Sequence, residues 1–150
     1  MFVENPLNAS AWIFPVLEIF HIAGFAVAIG TVALVDFRLL GVGMRQQTPG
    51  QLAAGLRLVT LIGLLTAIAS GMLLYATDPD KFYLNWSFLL KMACLLLAIL
   101  FHYTIHRKVA VSGAAAGAGK LVALVSLALW VAVVFGGIFI EFVTTGLTFS

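Results

Sequence analysis

Hydrophobic positions in this chain come in four long blocks separated by short polar segments. The blocks lie at about residues 11–40, 52–76, 84–106 and 120–144. At a rise of about 1.5 Å per residue, each block is long enough to cross about 30 Å of hydrocarbon as a helix. Short connections favour antiparallel neighbours. The pattern therefore predicts an all-α integral membrane protein, an up-down four-helix bundle forming one transmembrane domain over residues 1–150.

The polar segments carry the chemistry of turns. Thr48-Pro49-Gly50 is a turn signal before the second helix, and Thr77-Asp78-Pro79-Asp80 prevents that helix from running on. A run of small residues at 112–119 predicts a flexible loop before the fourth helix.

Composition agrees with a membrane protein and excludes several other classes. The chain is 63% hydrophobic and 9% charged, whereas soluble domains carry about 25% charged residues. A net charge of +2 is too small to favour a nucleic-acid partner, and the single cysteine, Cys94, allows no internal disulfide. The first block lacks a basic leader and is too long for a signal-peptide core, so it is expected to remain as a helix.

Basic residues predict the orientation, because loops rich in Lys and Arg stay in the cytoplasm. The connection between the second and third helices is instead acidic, with Asp78 and Asp80. We therefore expect both termini to face outward from a bacterial inner (cytoplasmic) membrane that the chain crosses several times. The basic residues are Arg38, Arg45 and Arg57 around the first connection, and Arg107, Lys108 and Lys120 around the third.

The first helix carries two ionisable residues where they are costly in hydrocarbon. Glu18 and His21 are three positions apart and share a helix face with the small residues Gly24 and Ala28. Two interpretations fit this shallow trough. A neighbouring helix packs there, or a flat macrocycle lies there with His21 as a ligand of its iron. A hydrogen bond from His21 to another helix is the simplest alternative to ligation.

Depth relates His21 to the third helix. With helix one starting near Ala11, His21 lies about 15 Å into the membrane, and with helix three starting near Leu84, Lys91 lies about 10 Å in. The two side chains should therefore be at similar levels. Lys91 either extends to the surface or partners a heme propionate, Glu18 or a substrate carboxylate.

A second group of ionisable residues lies near the predicted cytoplasmic end. His102 and His106 have the i, i+4 spacing of a metal pair, but His106 also suits an interfacial helix end favoured by the helix dipole. His102 could pair with Asp36 or ligate a second, inner heme, while one heme shared with His21 would need strongly staggered helices. Asp36 and Arg38 are expected to form an interfacial ion pair.

Two stripes of small residues predict helix contacts rather than cofactor sites. They could close the bundle internally or bind another copy of the chain or a larger membrane complex. The stripes are Gly63, Ala67 and Gly71 in helix two, and Ala128, Ala132 and Gly136 in helix four.

Three segments carry a resemblance to known proteins: FHIAGFAVAIGTVALVDFRLLG, FLLKMACLLLAILFHYTIHRKVA and GKLVALVSLALWVAVVFGGIFIEF. They resemble an uncharacterised bacterial four-helix integral membrane family, which is distantly similar to the membrane protoporphyrinogen IX oxidase and copper-resistance D families. The oxidase family has a histidine in its first helix, a basic residue followed by leucine at that helix's end, and a lysine opening a leucine-rich third helix. His21, Arg38-Leu39 and Lys91 match these features. The resemblance implies a b-type heme ligated by His21, with Lys91 in the same pocket.

Three functions follow as hypotheses. The first is a heme b protein that transfers electrons with a quinone or another membrane redox partner. The second is a cofactor-free structural or accessory subunit or transporter, in which Glu18, His21 and Lys91 form a buried polar network. The third is a protoporphyrinogen oxidase-like enzyme with His21 and Lys91 near its substrate. In the heme hypotheses, Glu18, Gly24 and His102 are further candidates for the cofactor site.

Overall fold

The computed structural model describes residues 5–113 and 116–146. These residues are helical with short connections and include no strand. Four stretches are long and apolar enough to cross a membrane: Ile13–Leu39, Pro49–Thr77, Trp86–Ser112 and Gly117–Val143. The predicted all-helical, multi-pass membrane architecture is therefore confirmed, and the lipid bilayer is its environment. The helices are α1 (Ile13–Leu39), α2 (Pro49–Thr77), α3 (Pro79–Tyr83), α4 (Trp86–Phe101), α5 (Arg107–Ser112) and α6 (Ala116–Gly146).

Helix α2 begins at Pro49, three residues before its predicted start, because the turn signal is also a helix cap. The Thr48 side chain accepts a hydrogen bond from the Gln51 backbone, and the Gln51 side chain accepts one from the Thr48 backbone. This reciprocal pair satisfies two backbone donors at the helix start, where proline is also well tolerated.

The third span is longer than predicted and is interrupted by one wide turn. Residues His102–His106 form a π-helical turn between α4 and α5, and the span continues to Ser112. It ends at Gly113, whose φ of +61° suits a glycine after a helix C-terminus. Within the predicted loop at 112–119, residues 114–115 lie outside the described residues, and α6 already begins at Ala116.

The spans pack as two hairpins that meet through α1 and α6. Helix α1 lies along α2, and α4 lies along α6. Where the hairpins meet, Val32, Leu64, Leu95, Trp130 and Val133 form the apolar core. Most other large hydrophobic side chains point outward, as a protein surrounded by lipid requires. We name the end that carries Arg45 and Lys108 the basic end, and the end that carries Asp78 and Asp80 the acidic end.

Backbones of α1 and α2 touch where both helices have glycine. A Cβ atom at Gly24 would lie 2.6 Å from the Ala67 nitrogen, and one at Gly63 would lie 2.8 Å from the Ala28 nitrogen. The trough predicted beside His21 is thus filled by α2. On α6 the buried face does not follow the predicted stripe, because Ala128 is exposed whereas Gly136 is buried.

Candidate functional site

Helix α1 carries two polar clusters that other helices complete. The His21 cluster comprises His21, Ser70, Lys91 and the Ala67 carbonyl. The Asp36 cluster comprises Asp36, His102, His106 and Ser126. Fifteen residues separate His21 from Asp36, which corresponds to about 22 Å along a helix. The first cluster lies toward the acidic end and the second toward the basic end.

The His21 imidazole has a close partner at each ring nitrogen, and the Ser70 hydroxyl lies 3.5 Å from Nδ1. Its Nδ1 lies 2.8 Å from the Ala67 carbonyl oxygen, and its Nε2 lies 3.2 Å from Lys91 Nζ. A carbonyl can only accept a hydrogen bond, so Nδ1 carries the proton and donates it. In the neutral ring, Nε2 then presents a lone pair to the lysine, which donates. The depth estimate that put His21 and Lys91 at similar levels agrees with this contact.

Glycines make room for both side chains. A Cβ atom at Gly71 would lie 2.7 Å from His21 Cε1, so only glycine leaves the ring in this position. Lys91 rests on α6, where a Cβ atom at Gly136 would lie 3.0 Å from the lysine Cβ. The Lys91 ammonium lies 5.2 Å from the Phe25 ring centre, within range of a cation–π interaction. Lys91 therefore turns into the bundle rather than toward the membrane surface.

Gly71→Ala should displace the His21 ring while leaving α2 helical, since alanine is the better helix former. We expect the hydrogen bond from Nδ1 to Ala67 to lengthen, because the added methyl group would meet Cε1 and Nδ1. The ¹⁵N resonances of the His21 ring should move in spectra of histidine-labelled protein in bilayers. Gly55→Ala, on the same helix with open space around it, is the matched control and should leave these resonances unchanged.

Glu18 does not join the His21 cluster. It is exposed, and the described residues include no hydrogen bond or ion pair that involves it. The predicted balance between Glu18 and Lys91 is therefore not formed, because the ammonium faces His21 and Phe25 instead.

The Asp36 carboxylate is enclosed by three helices. It is 0% exposed, with His106 Nε2 2.7 Å from Oδ1 and the Ser126 hydroxyl donating to Oδ2 at 2.8 Å. The sequence predicted Arg38 or His102 as the partner of Asp36, but its partners in the structure are His106 and Ser126. Arg38 instead donates from Nε to the Gln47 carbonyl at 2.6 Å, which fastens the first connection.

The π turn explains why His106 and not His102 reaches Asp36. The Arg107 backbone N–H bonds to the His102 carbonyl, five residues back, so the turn holds one more residue than an α-helical turn. His106 is 1% exposed rather than at an interface, and its ring stacks on His102 with 5.0 Å between centres. The prediction that His106 lies at a helix end is therefore wrong, because the span continues to Ser112.

A small cavity borders the Asp36 cluster. Its volume is about 30 Å³, and its polar lining comes from Thr31, Arg57, Thr60, His102, Tyr103, His106 and Arg107. The Thr60 hydroxyl donates to Thr31 Oγ1 at 2.8 Å. These contacts extend the polar region from Asp36 toward the middle of α1.

The two clusters differ in how well they suit a heme. Within the described residues, no three His, Cys, Asp or Glu side chains converge on a metal position, but heme needs only one or two axial ligands. To act as such a ligand, His21 Nε2 must first release Lys91, whose Nζ lies 3.2 Å away. His102 does not fit an inner heme, because the adjoining cavity of about 30 Å³ is far too small for the macrocycle. One heme shared by His21 and His102 does not fit either. Lys91 is level with His21, and His102 lies eleven residues further on, about 16 Å along the helix.

Comparison with known proteins identifies a family but no characterised relative. A family model described as a family of unknown function, DUF6644, matches residues 13–143. No curated protein and no solved structure matches the chain.

Proposed function

The chain belongs to the family DUF6644, whose function is unknown, and from its His21 cluster we propose that it is a b-type heme-binding membrane protein that transfers electrons. His21 is the proposed axial ligand of the heme iron. A quinone or another membrane redox partner is the proposed source or acceptor of electrons. The bilayer is a bacterial inner membrane, with both termini outside, as the basic loops favour.

The observation that carries this proposal is the hydrogen bond from His21 Nδ1 to the Ala67 carbonyl. Histidines that bind metals usually donate their other ring N–H to a carbonyl or carboxylate, which fixes the tautomer and the ring orientation. His21 has this arrangement inside an apolar membrane helix. Its Nε2 lone pair is thereby directed away from α2 and toward Lys91.

Lys91 is the second residue assigned to the proposed site. Its flexible four-carbon side chain would let it exchange the contact with His21 for one with a heme propionate. Gly24 is not assigned to the heme, because the α2 backbone covers it. Bound heme would supply one-electron redox chemistry, while the protein fixes the ligand and excludes water.

His21→Ala should abolish the Soret absorption band of protein purified after heme-supplemented expression, since it removes the proposed ligand. Absorption spectra of the oxidised and reduced protein measure this directly. Ile22→Ala is the matched control, because Ile22 is the next residue on α1 and is 61% exposed. It should keep the band.

Colourless wild-type protein would contradict the heme proposal. So would a Soret band that persists unchanged in His21→Ala. If the protein is red, turnover of protoporphyrinogen that Lys91→Ala eliminates would assign it as an oxidase rather than an electron carrier.

A cofactor-free accessory subunit or transporter is the second candidate, and one observation favours it. His21 and Lys91 satisfy each other at 3.2 Å, so the polar atoms of the pair need no added group. In that case the pair would specify how the two helical hairpins dock. Colourless protein whose assembly state changes in Lys91→Met would support this function.

A further inference from the structure

Two ring nitrogens of the Asp36 cluster lack a hydrogen-bond partner. Within the described residues, Nδ1 of His102 and Nδ1 of His106 are both buried and unpaired. An unsatisfied buried polar atom costs about 1–3 kcal/mol. Such atoms are therefore usually paired, and water is the common partner where protein atoms are not available. His106 itself is 1% exposed, so an internal water is the partner that we expect for its Nδ1.

The adjoining cavity provides room for that water. A buried water needs about 10–15 Å³ and two to four polar partners, and this cavity has about 30 Å³. One or two waters therefore fit. His102, His106, Thr31 and Thr60 all line the cavity and supply nitrogen and hydroxyl partners. Arg57 and Arg107 also line it and are exposed, so the cavity reaches the surface of the bundle on the side of the basic end.

We propose that this hydrated cavity makes the Asp36 cluster a proton-binding site reached from the basic end. The proposal does not rest on heme binding. In the neutral state, His106 donates its Nε2 proton to Asp36 and keeps a lone pair on Nδ1. A proton from the bulk solvent, relayed by the cavity water, forms an N–H bond at Nδ1, and the water is regenerated. The imidazolium keeps its hydrogen bond to Asp36 and donates a new one to water.

The Asp36 carboxylate favours holding the added proton at this place, whereas Arg57 and Arg107, which line the cavity, oppose it. Asp36 is a carboxylate whose second oxygen accepts from Ser126, so protonation of His106 converts a net negative pair into a neutral one. His106 reaches Asp36 through the π turn at His102–His106, and π turns within helices are frequent at functional sites. The other titratable or charged groups that line the adjoining cavity are Arg57 on α2, and His102, Tyr103 and Arg107 on the third span; α6 contributes the hydroxyl of Ser126 to the pair.

Solid-state ¹⁵N NMR of the full chain, histidine-labelled and in lipid bilayers, tests the proposal. The chain has three histidines, so His21→Gln and His102→Gln leave the His106 signals to be assigned by elimination. Lowering the pH over the range in which the chain stays folded should change His106 Nδ1 from an unprotonated to a protonated nitrogen, while Nε2 stays protonated throughout. Water-edited spectra should show magnetisation transfer from water to Nδ1.

The wild-type spectra alone can overturn the proposal. An Nδ1 that keeps one protonation state over this pH range, or that receives no magnetisation from water, would make the cluster a sealed structural contact. The double variant Thr31→Val and Thr60→Val removes the hydroxyls that line the cavity and should reduce the water transfer at least several-fold. Unchanged transfer in that variant would place the water elsewhere and contradict the proposed site.

Discussion

His106→Leu should lower the free energy of unfolding by about 3 kcal/mol, the upper end of the range for leaving a buried hydrogen-bonding group without its partner. The leucine has nearly the volume of the imidazole, so little of this loss comes from a cavity. The loss comes from the Asp36 carboxylate, which is 0% exposed and would keep only Ser126 as a donor. Unfolding by sodium dodecyl sulfate in mixed micelles, followed by circular dichroism, measures the change.

Two further variants test whether the unpaired Asp36 carboxylate causes this loss of stability. Ile105→Leu changes an exposed residue of the same π turn and should stay within about 0.5 kcal/mol of wild type. The double variant Asp36→Val and His106→Leu removes both members, and replacing a buried pair by apolar residues is often neutral. It should therefore be more stable than His106→Leu alone. A double variant that is no more stable would show that packing, not the carboxylate, sets the loss.

The block pattern predicts the architecture well because length and hydropathy are strong signals in a membrane. Each of the four predicted spans corresponds to a long apolar helix of the structure. The boundaries are less predictable because they depend on local contacts. The start of α2 could have been predicted from the sequence, because Thr48 followed three residues later by Gln51 is a capping-box signature. The run of alanine and glycine after Ser112 was misleading, because small residues suit membrane helices as well as loops.

The sequence predicted that His21 and Lys91 lie at a similar depth in the membrane, but it did not predict that they are in contact. Helical rise places two residues at one level, but it does not state which way each side chain turns. The other partner of His21 is a backbone carbonyl, at Ala67, and every residue has one. Gly71 was expected to be a helix contact, and it is one: its neighbour is the His21 ring.

The Asp36 cluster was the part least accessible from sequence. Its geometry depends on the π turn, and no pattern in HYTIH distinguishes that turn from an α-helical one. Ser126 did carry a signal, because it is a polar residue within an apolar helix, four positions before the core residue Trp130. Polar residues in such helices commonly bond across to a neighbour. Pairing Ser126 with Asp36 still required knowledge of how α6 is rotated against α1.

Gly24→Val should separate α1 from α2 and lower the free energy of unfolding by about 3 kcal/mol, the upper end for overpacked cores. The added Cβ would lie 2.6 Å from the Ala67 nitrogen and 2.8 Å from the Gly63 oxygen. Both are backbone atoms, so no side-chain rotation relieves the contact. Unfolding by sodium dodecyl sulfate in mixed micelles measures the loss.

The same helix provides a matched control in Gly30→Val. Gly30 is exposed and has nothing within 4 Å of an added Cβ, so this variant should be no less stable than wild type, because valine is the better helix former. Equal stability of the two variants would contradict the close backbone contact. Ala67 also accepts the hydrogen bond from His21. Gly24→Val should therefore shift the ¹⁵N resonances of the His21 ring, whereas Gly30→Val should not, because the helix contact and the His21 site share one backbone segment.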